Sequence, residues 1–168
     1  MLFQLLSKEV LVITSKGKIL IENKIKAYGV CIYKVKKNSC EILLCKSVSS
    51  LNNWGCLKGL IDKNETKQQC AKREFLEESS IDIDIVNFEE YFEQVNEEKD
   101  IGIWLVNAKK VKNLESYFFE NKLLNNYLSW ENSKVKFFDI KDLPSIKKKQ
   151  KFLVSEITDF LKNNRLSH

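Results

Sequence analysis

Apolar and polar residues alternate through much of the first half of the chain, and this two-residue period predicts strands. Val10–Thr14 and Lys18–Glu22, separated by a turn holding Gly17, read as a short hairpin. Ala27–Val35 and Cys40–Lys46 read as a second strand pair joined by the polar link Lys36–Ser39. A loop rich in serine and asparagine, Ser47–Asn53, leads into Trp54-Gly55-Cys56-Leu57-Lys58-Gly59. The period changes at Thr66: over Thr66–Ser79 the apolar residues Cys70, Ala71 and Phe75 share one face, which predicts an amphipathic helix with Asn64 as a candidate cap. Asp82-Ile83-Asp84-Ile85 resumes the alternation, Ile101–Val106 is an apolar run of strand length, and Val135–Ile140 is a further strand. Leu114–Leu128 is rich in aromatics and leucine, and its spacing does not decide between a helix and an insertion. After the sole proline, Pro144, the segment Ser145–Leu161 carries Ile146, Leu153, Ile157, Phe160 and Leu161 at helical spacing. This order predicts an α/β fold, a mixed sheet with helices on two sides.

The length of 168 residues and the 43% hydrophobic content suit one globular domain over residues 1–168, with no repeat or linker. Five cysteines, odd in number and without a C-x-x-C pair, read as reduced, buried thiols, which suits a cytoplasmic protein. Lys8 and Glu9 interrupt the apolar Met1–Leu6 before a signal-peptide core is complete, and no run reaches membrane-spanning length, so no membrane partner is expected. The net charge of +5 is modest, and the lysine runs at Lys34, Lys36 and Lys37 and at Lys147–Lys149 and Lys151 would favour a polyanion. Lysine is abundant throughout, so the runs also read as solvated faces. The single histidine is His168, the last residue, which removes histidine-dependent nucleophile triads and most zinc sites from consideration. Carboxylate and metal chemistry remains.

That chemistry is concentrated in the predicted helix. Glu74 lies one turn before Glu77 and Glu78, so three carboxylates project from nearly one patch. Like charges at this spacing weaken a helix by a few tenths of a kcal/mol per pair, an arrangement that asks for a cation. Hard oxygen donors without histidine or paired thiolates suit magnesium, with manganese as a substitute, and magnesium typically bridges to substrate phosphates. Arg73, one turn before Glu77, can hold a carboxylate in place.

Gly59, Glu65, Arg73, Glu74, Phe75, Glu77, Glu78 and Ile81 stand at the fixed positions of the signature of the Nudix hydrolases, which the chain resembles over roughly residues 27–162. Ser80 replaces the family's glycine, where a left-handed helix exit costs serine roughly 1 kcal/mol. The resemblance implies an α/β/α sandwich with a central mixed sheet and a C-terminal helix, preceded here by an N-terminal hairpin extension over residues 1–26. It implies metal ligation by Glu74, Glu77 and Glu78 with the Gly59 carbonyl, and supporting roles for Arg73 and Glu65. A further acid is needed to position the attacking water, and Glu131, directly before the Val135–Ile140 strand, is the candidate over Glu89, Glu93, Glu97 and Glu98. Dinucleoside polyphosphate hydrolases, RNA pyrophosphohydrolases and decapping enzymes of this superfamily similarly have a glutamate before an aromatic-containing strand. They also resemble the chain at Trp54–Gly59, which makes Lys58 and Trp54 candidate substrate-binding residues.

The expected reaction is magnesium-dependent cleavage of a pyrophosphate bond, with Glu78 or Glu131 taking the proton of the attacking water. The leading substrate is a dinucleoside polyphosphate such as diadenosine tetraphosphate, the second the 5′ end of RNA, and the alternative of another class a non-catalytic nucleotide sensor. Trp54, Tyr28, Tyr91, Trp130 and Phe138 are candidate platforms for a base, among which the sequence does not choose.

Overall fold

The computed structural model describes residues 9–13 and 19–166. Strands β1 (Glu9–Ile13) and β2 (Ile19–Asn23) pair antiparallel from Glu9↔Asn23 to Ile13↔Ile19, as the hairpin reading predicts. The turn at Gly17 lies outside the described residues.

The remaining strands are β3 (Ile25–Val35), β4 (Cys40–Ser47), β5 (Leu57–Leu60), β6 (Tyr91–Gln94), β7 (Lys99–Asn107), β8 (Phe118–Phe119), β9 (Lys122–Leu123) and β10 (Asn132–Asp139). Among the described residues they form one eight-stranded sheet in the order β6-β7-β3-β4-β10-β9-β8, with β5 also paired to β3. β3 is the axis. One edge pairs in parallel with β7 from Ile25↔Lys99 to Tyr33↔Asn107. The other edge is shared: β5 takes Ala27–Val30 and β4 takes Tyr33–Val35, both antiparallel. The sheet therefore forks where β5 gives way to β4.

β3 is buried from Ala27 to Lys34, and its two-residue period sends alternate side chains to opposite layers. Tyr28, Val30 and Ile32 pack with Cys70, Ala71 and Phe75 of helix α1 (Lys67–Ser79). Cys31 and Tyr33 pack with Leu153, Val154, Ile157 and Leu161 of helix α2 (Lys151–Arg165). The result is the expected α/β/α sandwich. The five cysteines are free and buried, and no helix among the described residues is long and apolar enough to cross a membrane.

Three local expectations need correction, and one open segment is resolved. The cap of α1 is Thr66, not Asn64: its hydroxyl accepts from the Gln69 amide at 3.1 Å while the Gln69 side chain accepts from the Thr66 amide at 2.8 Å, a reciprocal pair that Asn64 is placed too early to make. The alternation at Asp82–Ile85 is real, with Ile81 and Ile83 buried and both aspartates exposed. No strand forms there, because the Asp84 carboxylate accepts from the Val86 amide and opens a 3-10 turn, and the strand comes later as β6. Leu114–Leu128 is an insertion: two 3-10 turns flank the tiny β8–β9 hairpin, whose turn residues Glu120 and Asn121 both have positive φ. α2 starts six residues later than its pattern, because the backbone at Ser145 and Lys147 bonds on both sides of Trp54.

Candidate active site

Helix α1 runs beside β5, and the two elements place the acids. At the helix exit Ser80 takes the left-handed conformation (φ 65°) that glycine adopts freely, and its hydroxyl donates to the Tyr127 carbonyl at 3.1 Å. The substitution keeps the exit. Glu74 lies directly over Gly59, where a Cβ would run into the carboxylate, so glycine is what lets helix and strand approach.

Arg73 organises the entrance. Its Nε and Nη2 grip both oxygens of Glu65 at 3.0 and 2.6 Å, Nη1 reaches Glu74 at 2.8 Å and Glu77 at 3.3 Å, and Nη2 also donates to the Leu60 carbonyl at 3.0 Å. Glu65 in turn accepts from the Asp62 amide at 2.8 Å. This grip holds the Glu65 carboxyl down at about 2, and it raises the Arg73 guanidinium further above its ordinary value.

Glu78 is the buried acid, only 8% exposed, and its Oε2 has no hydrogen-bond partner. Burial pushes its carboxyl up to about 8; Lys58 opposes the shift, while Glu74 and Glu131 add to it. Burial also raises Glu74, against the pull of Arg73 and with Glu77 and Glu131 contributing. The three acids thus feel one another across a cleft of about 430 Å³, lined by Glu74, Glu78 and Glu131 with Lys58, Gly59, Lys99 and Lys147. Glu131 arrives from the turn before β10, anchored by its carbonyl to the Val48 amide at 2.9 Å.

Of the residues singled out from sequence, Glu74, Glu78, Glu131, Lys58 and Gly59 line this cleft, and Arg73 braces it. Glu77 stays outside, largely exposed and paired with Arg73. Trp54 is not brought there: it is buried in the α2-side core, edge-on to Phe138 at 4.7 Å between ring centroids. Among the competing acids, Glu89 is taken by the Tyr33 hydroxyl at 2.7 Å and Glu98 pairs with Lys149. A larger cavity of about 730 Å³ at the far end of β3 and β7 has Glu115 as its acid, ion-paired to Lys34, and lacks a carboxylate cluster.

The sequence reading missed Lys99, and it placed Lys147 only within a basic run. Lys99 opens β7 and reaches the cleft because β7 pairs in parallel with β3, a long-range contact with no local signal. Burial, then the neighbouring Lys58, pushes its ammonium down to about 8. None of Lys58, Lys99 and Lys147 makes a salt bridge among the described residues. Lys99→Met is expected to raise KM for a polyphosphate roughly tenfold, the scale of one charge-assisted hydrogen bond. In the wild type KM should climb as the pH rises through about 8, where Lys99 loses its charge, and kinetics across pH 6–10 should show that limb flattened in the variant.

The donor set fits a divalent cation: hard carboxylate oxygens, one of them buried without a partner, sharing a deficit of positive charge. As the side chains stand, no three Asp, Glu, His or Cys residues among those described close round a common point, because Arg73 takes up Glu74 and Glu77.

An α/β/α sandwich whose cleft sets buried Glu78 and the more accessible Glu74 and Glu131 beside three lysines has the composition of a phosphate-anhydride site. A model of the NUDIX domain matches residues 24–158, and the chain belongs to that family, as a pyrophosphohydrolase. Comparison with curated proteins gives no sequence match. Solved structures share the fold. A C. elegans Ap4A hydrolase in a binary complex is 22% identical, with 83% of this chain and 98% of that one covered at a TM-score of 0.58. A NUDIX hydrolase from Nitrosomonas europaea is 17% identical, with 95% and 89% covered at 0.59. An ADP-ribose pyrophosphatase from Streptococcus suis is 16% identical, with 86% and 94% covered at 0.56.

Proposed function

We propose that the protein hydrolyses a dinucleoside polyphosphate, such as diadenosine tetraphosphate, with magnesium bound. The observation that carries this reading is the cleft itself: three unpaired lysines face three carboxylates in a space of about 430 Å³. That composition suits a run of phosphates, with the nucleosides lying outside. The Ap4A hydrolase fold-mate agrees with it.

Glu74, Glu78 and Glu131, with the Gly59 carbonyl and Glu77 swung in from Arg73, would hold the ion, and manganese would substitute for magnesium. When bound, the cation neutralises phosphate oxygens and makes water a better nucleophile. Lys58, Lys99 and Lys147 bind the phosphate chain and stabilise charge on the departing phosphate. Glu131, exposed at the mouth, or Glu78, in the interior, accepts the proton of the attacking water; the exposed acid releases that proton to solvent more readily. Arg73 and Glu65 fix the loop and Glu74. The five free thiols suit a reducing, cytoplasmic setting.

A second reading, action on the 5′ end of RNA, is favoured by Lys147, which belongs both to the cleft and to the basic stretch continuing through Lys151. A panel of diadenosine polyphosphates, triphosphorylated and capped RNA, nucleotide sugars and oxidised nucleoside triphosphates, each assayed with magnesium, tests the assignment. The highest kcat/KM should fall on a diadenosine polyphosphate. Preference for RNA ends by tenfold or more would favour the second reading, and preference for a nucleotide sugar would overturn both.

A further inference from the structure

Read as a polyphosphate site, the cleft has no aromatic side chain in its lining among the described residues, so a nucleotide must find its stacking partner elsewhere. The structure removes most of the candidates. Tyr28 and Trp54 are buried at 1% and 9% exposure. Phe138 is half-buried against Trp54, and Tyr91 is half-buried with its ring 4.4 Å from that of Trp104. Trp130 is different: it is 84% exposed and makes no ring contact among the described residues. Tryptophan is highly buried on average, which makes an exposed indole next in sequence to a cleft acid a candidate contact for a ligand.

Trp130 immediately precedes Glu131, which lines the cleft. The Val48 amide bonds to the Glu131 carbonyl at 2.9 Å, which ties the Ser47–Asn53 loop to the same rim. That loop carries two more exposed apolar side chains, Val48 at 62% and Leu51 at 92%. An exposed indole one residue from an acid of a lysine- and acid-lined cleft has the two-part chemistry of a nucleotide, π-face next to polyphosphate.

We propose that Trp130 is the stacking platform for a nucleobase of the substrate, so that it sets specificity for substrates that carry a base. This rests on the reading of the cleft as a polyphosphate site. Of the three tryptophans Trp130 is the exposed one, so the part of the emission change that disappears in Trp130→Ala reports on it. With magnesium present, ADP should quench the wild-type emission and inorganic pyrophosphate should not, and Trp130→Ala should abolish the quench. KM for diadenosine tetraphosphate should rise roughly tenfold to a hundredfold in Trp130→Ala, the scale of one lost base stack, with kcat changed less than threefold and partial rescue by Trp130→Phe. An unchanged KM, a quench by ADP that survives Trp130→Ala, or a fall in kcat alone would overturn the proposal; the last would mean that Trp130 merely positions Glu131. If the wild type hydrolyses no dinucleoside polyphosphate but ADP still quenches, the assigned substrate fails while the platform stands.

Discussion

Replacing Glu78 with glutamine is expected to lower kcat by roughly 10²–10⁴-fold, whether it takes the proton or holds the cation, while leaving the metal-free fold at least as stable as the wild type above pH 8. The two halves share one cause. Glu78 is buried with one oxygen unpartnered, and its carboxyl titrates at about 8, above the ordinary 4.5. A raised carboxyl favours the folded state fully below the ordinary value, and that contribution is lost as the pH rises through 4.5 to about 8. Over this window the slope reaches at most about 1.4 kcal/mol per pH unit. Glutamine has no charge to bury, so the variant should lose that slope, and urea melts in chelator across pH 4–9 would show it. A cation competes with the proton for the same carboxylate, so magnesium affinity should tighten by up to about tenfold per pH unit to about pH 8 in the wild type and depend less steeply on pH in the variant, where Glu74 still competes. Wild-type activity surviving in Glu78→Gln would remove this residue from the mechanism.

Arg73→Met is expected to be the most damaging change outside the cleft, costing about 1–3 kcal/mol of stability and at least roughly tenfold in kcat/KM. A single guanidinium satisfies Glu65, Glu74, Glu77 and the Leu60 carbonyl, so its removal leaves three acids without a counter-charge and frees the loop before α1. The pH signature separates this from generic damage. Glu65 is held at about 2, so in the wild type its contribution is present above the ordinary carboxyl value of 4.5 and is lost as the pH falls through about 2. In Arg73→Met the Glu65 carboxyl returns toward its ordinary range, and that acid limb should vanish from denaturant melts between pH 5 and 2. Arg73→Lys keeps the charge but not the two-oxygen grip on Glu65, and should recover part of the stability and little of the limb.

The acids were legible in the sequence because their relation is local. Glu74 and Glu78 are one turn apart whatever else the chain does, and the apolar residues on the opposite face say which side packs. Glu131 was legible as an acid ahead of a strand, but its meeting with Glu78 depends on β10 pairing with β4, which no spacing states. Lys99 was hidden for the same reason. Trp54 and Trp130 look alike in a sequence; one is sealed against Phe138 and the other stands in water, and packing alone distinguishes them.

The fork in the sheet gives the site two jaws. Glu74 and Glu78 ride on the α1–β5 branch, and Glu131 rides on the β4–β10 branch. Near the cleft the branches are stitched by two main-chain hydrogen bonds, Cys45 N–H to the Gly55 carbonyl at 2.8 Å and Gly55 N–H to the Cys45 carbonyl at 2.9 Å. The gauge between the opposing acids is therefore set by a seam of main chain, which side-chain replacement in the jaws leaves intact.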